Sequence, residues 1–129
     1  MNILIGDDHL LIREGVEQII MTLPDIESID EASNGLELLH KINSNKYDMV
    51  ILDMALPGFS SLDILKKMRR NKNKANVLIY SFEYKSHQPM FALRNGASGF
   101  LSNNCVYDEL TKAIRQIRRG GKYFSTESA

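Results

Sequence analysis

Two short apolar runs that end in carboxylates constrain this chain more than any other feature. The first is Ile3-Leu4-Ile5-Gly6-Asp7-Asp8 and the second is Met49-Val50-Ile51-Leu52-Asp53. Short runs rich in Ile, Leu and Val read as strands covered on both faces, as in a parallel sheet. In an open parallel sheet, ligands bind in the crevice outside the carboxyl ends of the strands. If these two strands are neighbours, Asp7, Asp8 and Asp53 meet there. Three carboxylates in one pocket repel each other, so at neutral pH they call for a cation or for shared protons. An all-oxygen site suits a hard divalent ion such as Mg2+, with water completing the shell.

The stretches between and after these runs change period. Ile12, Val16, Ile19, Ile20 and Leu23 recur at helical spacing, and Pro24 marks the stop. Ser28 to Ala32 reads as a weak strand. Asn34 and Glu37 have capping-box spacing and open a helix carrying Leu38, Leu39 and Ile42, which Asn43-Ser44-Asn45 breaks. After Asp53, Pro57-Gly58 forces a turn. Ser60 or Ser61 caps a helix with Leu62, Leu65 and Met68 inward. Asn76 to Tyr80 is a fourth strand. A helix spans about Ser86 to Arg94 with Pro89 in its first turn and Gly96 as its left-handed cap. Gly99-Phe100-Leu101 is a short fifth strand. Asn104 caps a last helix with Leu110, Ile114 and Ile117 on one face, closed by Gly120-Gly121. Strand and helix alternate throughout, which predicts an α/β fold: a five-stranded parallel sheet, doubly wound in the flavodoxin-like order 2-1-3-4-5, with helices on both faces.

At 129 residues the chain fits one domain with a real core. Lys and Arg balance Asp and Glu at 16 each, so no overall field favours nucleic acid. The basic stretches at Lys66 to Lys74 and around Lys112 to Lys122 read as solvated helix faces. The single cysteine, Cys105, excludes an internal disulfide, suits a reducing compartment and reads as a packing residue. No apolar run reaches membrane-spanning length and the N-terminus has no signal-peptide pattern, so a cytoplasmic location is expected.

Several segments, taken together and in order, resemble the receiver domains of bacterial two-component response regulators. They are Ile5-Gly6-Asp7-Asp8-His9, the run Ile51 to Gly58, Ser81 after the fourth strand, and Gly96-Ala97-Ser98-Gly99-Phe100-Leu101. The last of these and Gly120 to Ser125 look most like the NarL/FixJ-type subgroup. The resemblance implies that residues 1–121 form the receiver and that Asp53 accepts a phosphoryl group from a histidine kinase or phosphorelay protein. It implies Mg2+ held by Asp8 and Asp53, with Asp7 acting largely through water and the backbone carbonyl of Ala55 completing the ligands. Ser81 matches the hydroxyl that donates to a phosphoryl oxygen, and Phe100 the aromatic whose rotation reports that bond. The domain would assist its own modification and would not be a free-standing enzyme. A haloacid-dehalogenase-type phosphatase fits poorly, because the position two residues after the nucleophile is Ala55 rather than aspartate.

One departure stands out. The family pattern has a lysine at the end of the fifth strand, which pairs with the acidic cluster, and this chain has Asn103. That position leaves two readings open: a phosphorylated receiver, or an atypical receiver that acts as a phosphorylation-independent interaction module. The bond Asn103–Asn104 corresponds to one that is often cis in receivers, although a non-proline cis bond is costly. Residues 122–129 look like the start of a linker, which in NarL/FixJ-type regulators leads to a helix-turn-helix domain. DNA binding is therefore expected only through an output domain outside this chain, and a homodimer through the first and last helices or the helix after Ser81. His9 follows the acidic pair and has two readings, a residue lining the site or, preferred, an exposed loop histidine.

Overall fold

The computed structural model describes residues 1–126. Its elements alternate as β1 (Asn2–Gly6), α1 (Leu10–Ile20), β2 (Ser28–Ala32), α2 (Gly35–Ser44), β3 (Met49–Asp53), α3 (Ser61–Arg70), β4 (Asn76–Ser81), α4 (Gln88–Arg94), β5 (Gly99–Ser102), α5 (Cys105–Arg118) and β6 (Tyr123–Ser125). The sheet order is β2-β1-β3-β4-β5-β6, and every neighbouring pair is parallel. The expected order 2-1-3-4-5 is present, and β1 and β3 are neighbours.

The sheet holds one strand more than the sequence predicts. Tyr123–Ser125, which the sequence alone assigns to a linker, pairs with β5 so that Phe124 stands opposite Phe100. Gly120, at φ +94°, turns the chain back after α5. Glu109 of α5 then pins the strand, accepting hydrogen bonds from the Tyr123 hydroxyl and, at 2.9 Å, from Ser125 Oγ. The remainder of the expected linker, residues 127–129, lies outside the described residues.

Consecutive strand residues point to opposite faces, and both faces are covered. Ile3, Ile5, Ile51, Leu78 and Tyr80 pack under Val16 and Ile20 of α1 and Leu110, Ile114 and Ile117 of α5. Leu4, Val50, Leu52, Ile79 and Phe100 pack under Leu38 and Ile42 of α2, Ile64, Leu65 and Met68 of α3, and Ala92 of α4. This double burial is why the strands read as unbroken apolar runs. Ile64 takes the inward place on α3 that the periodicity gives to Leu62, which is half-buried.

Most stop and start signals act as expected. The Asn34 side chain accepts from Glu37 N–H at 2.8 Å and Ser60 Oγ from Asp63 N–H at 3.2 Å. Asn104 does not cap α5: it already has helical backbone angles (φ −64°, ψ −21°), so it lacks the extended geometry a cap needs. All described peptide bonds are trans, Asn103–Asn104 included. Asn103 is left-handed at φ +50°, a conformation asparagine tolerates better than most residues.

The turn after β3 is pressed against the start of α2. Gly35 N–H donates to Pro57 O at 2.7 Å, and a Cβ on Gly35 would meet the Phe59 backbone nitrogen at 2.6 Å. A Cβ on Gly15, in α1, would meet nothing within 4 Å. Gly35→Ala is therefore expected to destabilise by about 1–3 kcal/mol through overpacking, and Gly15→Ala to stabilise by about 0.5–1 kcal/mol through helix propensity. Urea midpoints at constant slope measure both, and equal shifts in one direction would contradict this packing.

Candidate acidic phosphoryl-transfer site

Register builds the site. Gly6 stands opposite Leu52, so the residues just past β1 lie against the end of β3. Asp7 is fully buried, Asp53 is 6% exposed, and Asp8 is exposed. One oxygen from each of these carboxylates and a ring nitrogen of His9 all lie within 4.8 Å of one another. The structure thus brings together Asp7, Asp8 and Asp53, which the sequence places there.

Each carboxylate is held differently. Asp53 Oδ1 accepts the Ala55 N–H at 3.2 Å. Burial pushes the Asp53 carboxyl up to about 6; the Ala55 N–H pulls it back, Asp7 and Asp8 add to the rise, and His9 offsets part of it. Asp7 Oδ1 accepts the His9 backbone N–H at 2.7 Å, and Asp7 Oδ2 accepts the hydroxyl of Tyr80. Asp7 is further fixed through its backbone: its N–H donates to Ala32 O at 3.0 Å and its carbonyl accepts Arg13 Nη1–H at 2.8 Å. A buried carboxylate is tolerable only when hydrogen-bonded, and Tyr80 supplies a donor from inside the core. Burial first, and the bond to Asp7 second, hold the Tyr80 phenol protonated far above its ordinary range.

His9 is an exposed loop residue, as the sequence reads it, and its ring also lines the site, the other place the sequence leaves open. Its Nδ1 lies 2.9 Å from Asp7 Oδ1, 3.2 Å from Asp8 Oδ1 and 3.8 Å from Asp53 Oδ2, although the side chain is 58% exposed. The bond to Asp7 raises its pKa above the ordinary 6.5 against a small cost of burial, with Asp8, Asp7 and Asp53 adding through space. Among the described residues no lysine or arginine side chain pairs with these carboxylates; Arg13 instead pairs with Glu31 at 3.3 Å. Only the position directly after the acidic pair could have signalled His9. Tyr80 carried no signal, because it ends the apolar run of β4 as a packing residue would.

The other expected residues sit around this cluster. Ser81 ends β4, is 3% exposed, stands opposite Ser102 of β5, and its carbonyl accepts the Asn103 N–H at 2.9 Å. Ala55 is exposed beside Asp53. Phe100 is not at the pocket: it is fully buried in the second core, with its ring 6.4 Å from that of Tyr84. The donor set is mainly carboxylate oxygen, gathered within 4.8 Å, so the residues fit a hard divalent cation.

Comparison with known proteins agrees with this geometry. Residues 3–115 match the family described as the response regulator receiver domain. The chain is 34% identical over 118 residues to the nitrate/nitrite response regulator protein NarL of Escherichia coli K12, covering 92% of this chain and 55% of that protein. It is 33% identical to the oxygen regulatory protein NreC of Staphylococcus carnosus, covering 95% and 57%. The chain thus spans little more than half the length of these relatives. Among solved structures, a LuxR-family two-component response regulator from Aurantimonas sp. SI85-9A1 superposes with a TM-score of 0.87 at 28% identity, covering 95% of this chain and 87% of that one.

Two substitutions test the electrostatics. Tyr80→Phe keeps the ring and removes the donor to buried Asp7, so a loss of about 1.5–3 kcal/mol is expected in urea unfolding at pH 7.5; an unchanged midpoint would contradict the bond. Asp53 binds its proton more tightly when folded, at about 6, than at the ordinary 3.8 of an unfolded chain. Its stabilising contribution is therefore present at acid pH and is lost as pH rises through about 6. Asp53→Asn is expected to stabilise by about 1–2 kcal/mol at pH 7.5 and by nothing below about pH 4. Equal stabilisation at both pH values would contradict the assignment.

Proposed function

The chain belongs to the response regulator receiver domains, in the NarL/FixJ/LuxR group, and on that premise we propose that it receives a phosphoryl group on Asp53 from a histidine kinase or phosphorelay protein. The observation that carries this reading is the position of Asp53: it ends β3 inside an acidic cluster, nearly buried, with its neighbours Asp7 and Asp8 on the adjoining strand end. A carboxylate oxygen of Asp53 attacks phosphorus in line, the bond from phosphorus to the donor's leaving atom breaks, and the leaving group departs with the electron pair. An acyl phosphate results.

The chain's own residues orient this exchange. The Ala55 N–H holds Asp53 Oδ1, leaving Oδ2 as the attacking oxygen. The Ser81 hydroxyl donates to a phosphoryl oxygen, and Phe100 answers through packing alone, having no hydroxyl. Asp8 and Asp53, with Asp7 through water and the Ala55 carbonyl, would hold Mg2+, whose charge when bound offsets the carboxylates and the phosphoryl oxygens. The domain thereby assists its own modification without turning over a separate substrate.

Output lies outside this chain in our reading. The greater length of NarL and NreC supports a helix-turn-helix output domain that controls transcription, with DNA contacted only there. The receiver can pair with a second copy. No helix among the described residues is long and apolar enough to cross a membrane, which fits the cytoplasmic location we propose. Asn103, in place of the family's lysine, favours a second reading: an interaction module that works without phosphate. Intact-protein mass after incubation with acetyl phosphate and Mg2+ separates the two. One added phosphoryl group that Asp53→Ala abolishes is the expected result; no addition, from a cognate kinase either, would favour the interaction module.

A further inference from the structure

We propose that His9 is the side chain whose N–H meets the phosphoryl group at Asp53, filling the place a cationic side chain would otherwise take. The inference rests on the reading of Asp53 as acceptor. Its ground is geometric. An incoming phosphoryl group adds negative oxygens to a pocket that already holds three carboxylates, so it needs donors aimed at those oxygens. Among the described residues His9 is the basic side chain that reaches the cluster, with Nδ1 at 2.9, 3.2 and 3.8 Å from Asp7, Asp8 and Asp53.

The backbone of His9 is fixed, and its ring rests on Asp7 Oδ1 at the solvent side of the pocket. Its N–H donates to Asp7 Oδ1 at 2.7 Å, and its carbonyl accepts the Arg13 N–H at 2.9 Å in the first turn of α1. The side chain is 58% exposed and its Nδ1 lies 3.8 Å from Asp53 Oδ2, so a phosphoryl group on that oxygen would arrive within reach of the ring. Imidazole keeps an N–H in either protonation state, so the contact needs no proton transfer. In the exchange His9 donates a hydrogen bond and neither gains nor loses a proton. The bond formed is Asp53 Oδ2 to phosphorus, and the electron pair leaves with the donor's oxygen or nitrogen.

Asn103 makes the idea testable, since it is one residue past β5 with its N–H on the Ser81 carbonyl. A lysine there would bring an ammonium to the same pocket. The experiment compares the chain as it is with His9→Ala, His9→Gln, Asn103→Lys and the pair His9→Ala/Asn103→Lys. Each is read by the rate of phosphoryl uptake from acetyl phosphate at saturating Mg2+, with the Mg2+ dissociation constant measured separately. The expected result is a fall of about tenfold or more for His9→Ala, a smaller fall for His9→Gln, which keeps an N–H, and less than about twofold for His9→Ala in the Asn103→Lys background. Mg2+ affinity should not weaken. Uptake by His9→Ala at the original rate, or the same fractional fall in both backgrounds, would overturn the role of His9 and leave Asp53 as acceptor. No uptake by any variant, from acetyl phosphate or from a cognate kinase, would instead remove the acceptor reading itself, and this inference with it.

Discussion

The mutual repulsion of Asp7, Asp8 and Asp53 is the constraint on which the rest of the structure depends. The parallel pairing of β1 with β3 leaves these side chains no way to separate, because the strand ends that carry them are in register. Burial sharpens the conflict: Asp7 has no exposed surface and Asp53 almost none. Water therefore screens Asp7 and Asp53 poorly, and donors must be built around them. Tyr80 supplies one from within the core, and His9 supplies a backbone and a ring nitrogen from the solvent side. Burial pushes the Asp53 carboxyl up to about 6, with Asp7 and Asp8 adding to the rise.

The same contacts join the pocket to the rest of the sheet. The Tyr80 hydroxyl spans β3 to tie β4 to the end of β1. Ser81 O binds the Asn103 N–H and so ties β4 to the end of β5. Phe100 of β5 stands opposite Phe124 of β6, and Glu109 fastens β6 to α5. A continuous run of packed and hydrogen-bonded groups thus leads from the acidic cluster to the last described strand. The Glu109 carboxyl, held below its ordinary range first by the Tyr123 hydroxyl, keeps that strand fastened at neutral pH.

Much of this was legible in the chain. Doubly buried strands announce themselves as unbroken runs, so Ile3 to Gly6 and Met49 to Asp53 fixed β1 and β3, and the carboxylates followed by adjacency. Helix stops at Gly96 and Gly120 were legible for the same local reason: a left-handed backbone favours glycine, and both have positive φ. The failures are tertiary. β6 has three residues, too few to show a period, and its pairing is decided by Glu109 fourteen residues away from Tyr123. Tyr80 looks like any core aromatic until Asp7 is folded over its hydroxyl. His9 is a loop residue, as it reads, and only the convergence of two strands brings three carboxylates to its Nδ1. Asn104 shows the opposite error, a good capping residue whose backbone had already entered the helix.

The central claim is that the three carboxylates form one cation site whose repulsion is relieved on binding. Thermal unfolding across a Mg2+ titration at pH 7.5, with NaCl of equal ionic strength as control and Asp8→Asn alongside, tests it most directly. A saturable rise in Tm with Mg2+, absent with NaCl and largely lost in Asp8→Asn, is the result this account predicts. A Tm that responds equally to Mg2+ and NaCl, or that rises as much in Asp8→Asn, would contradict it.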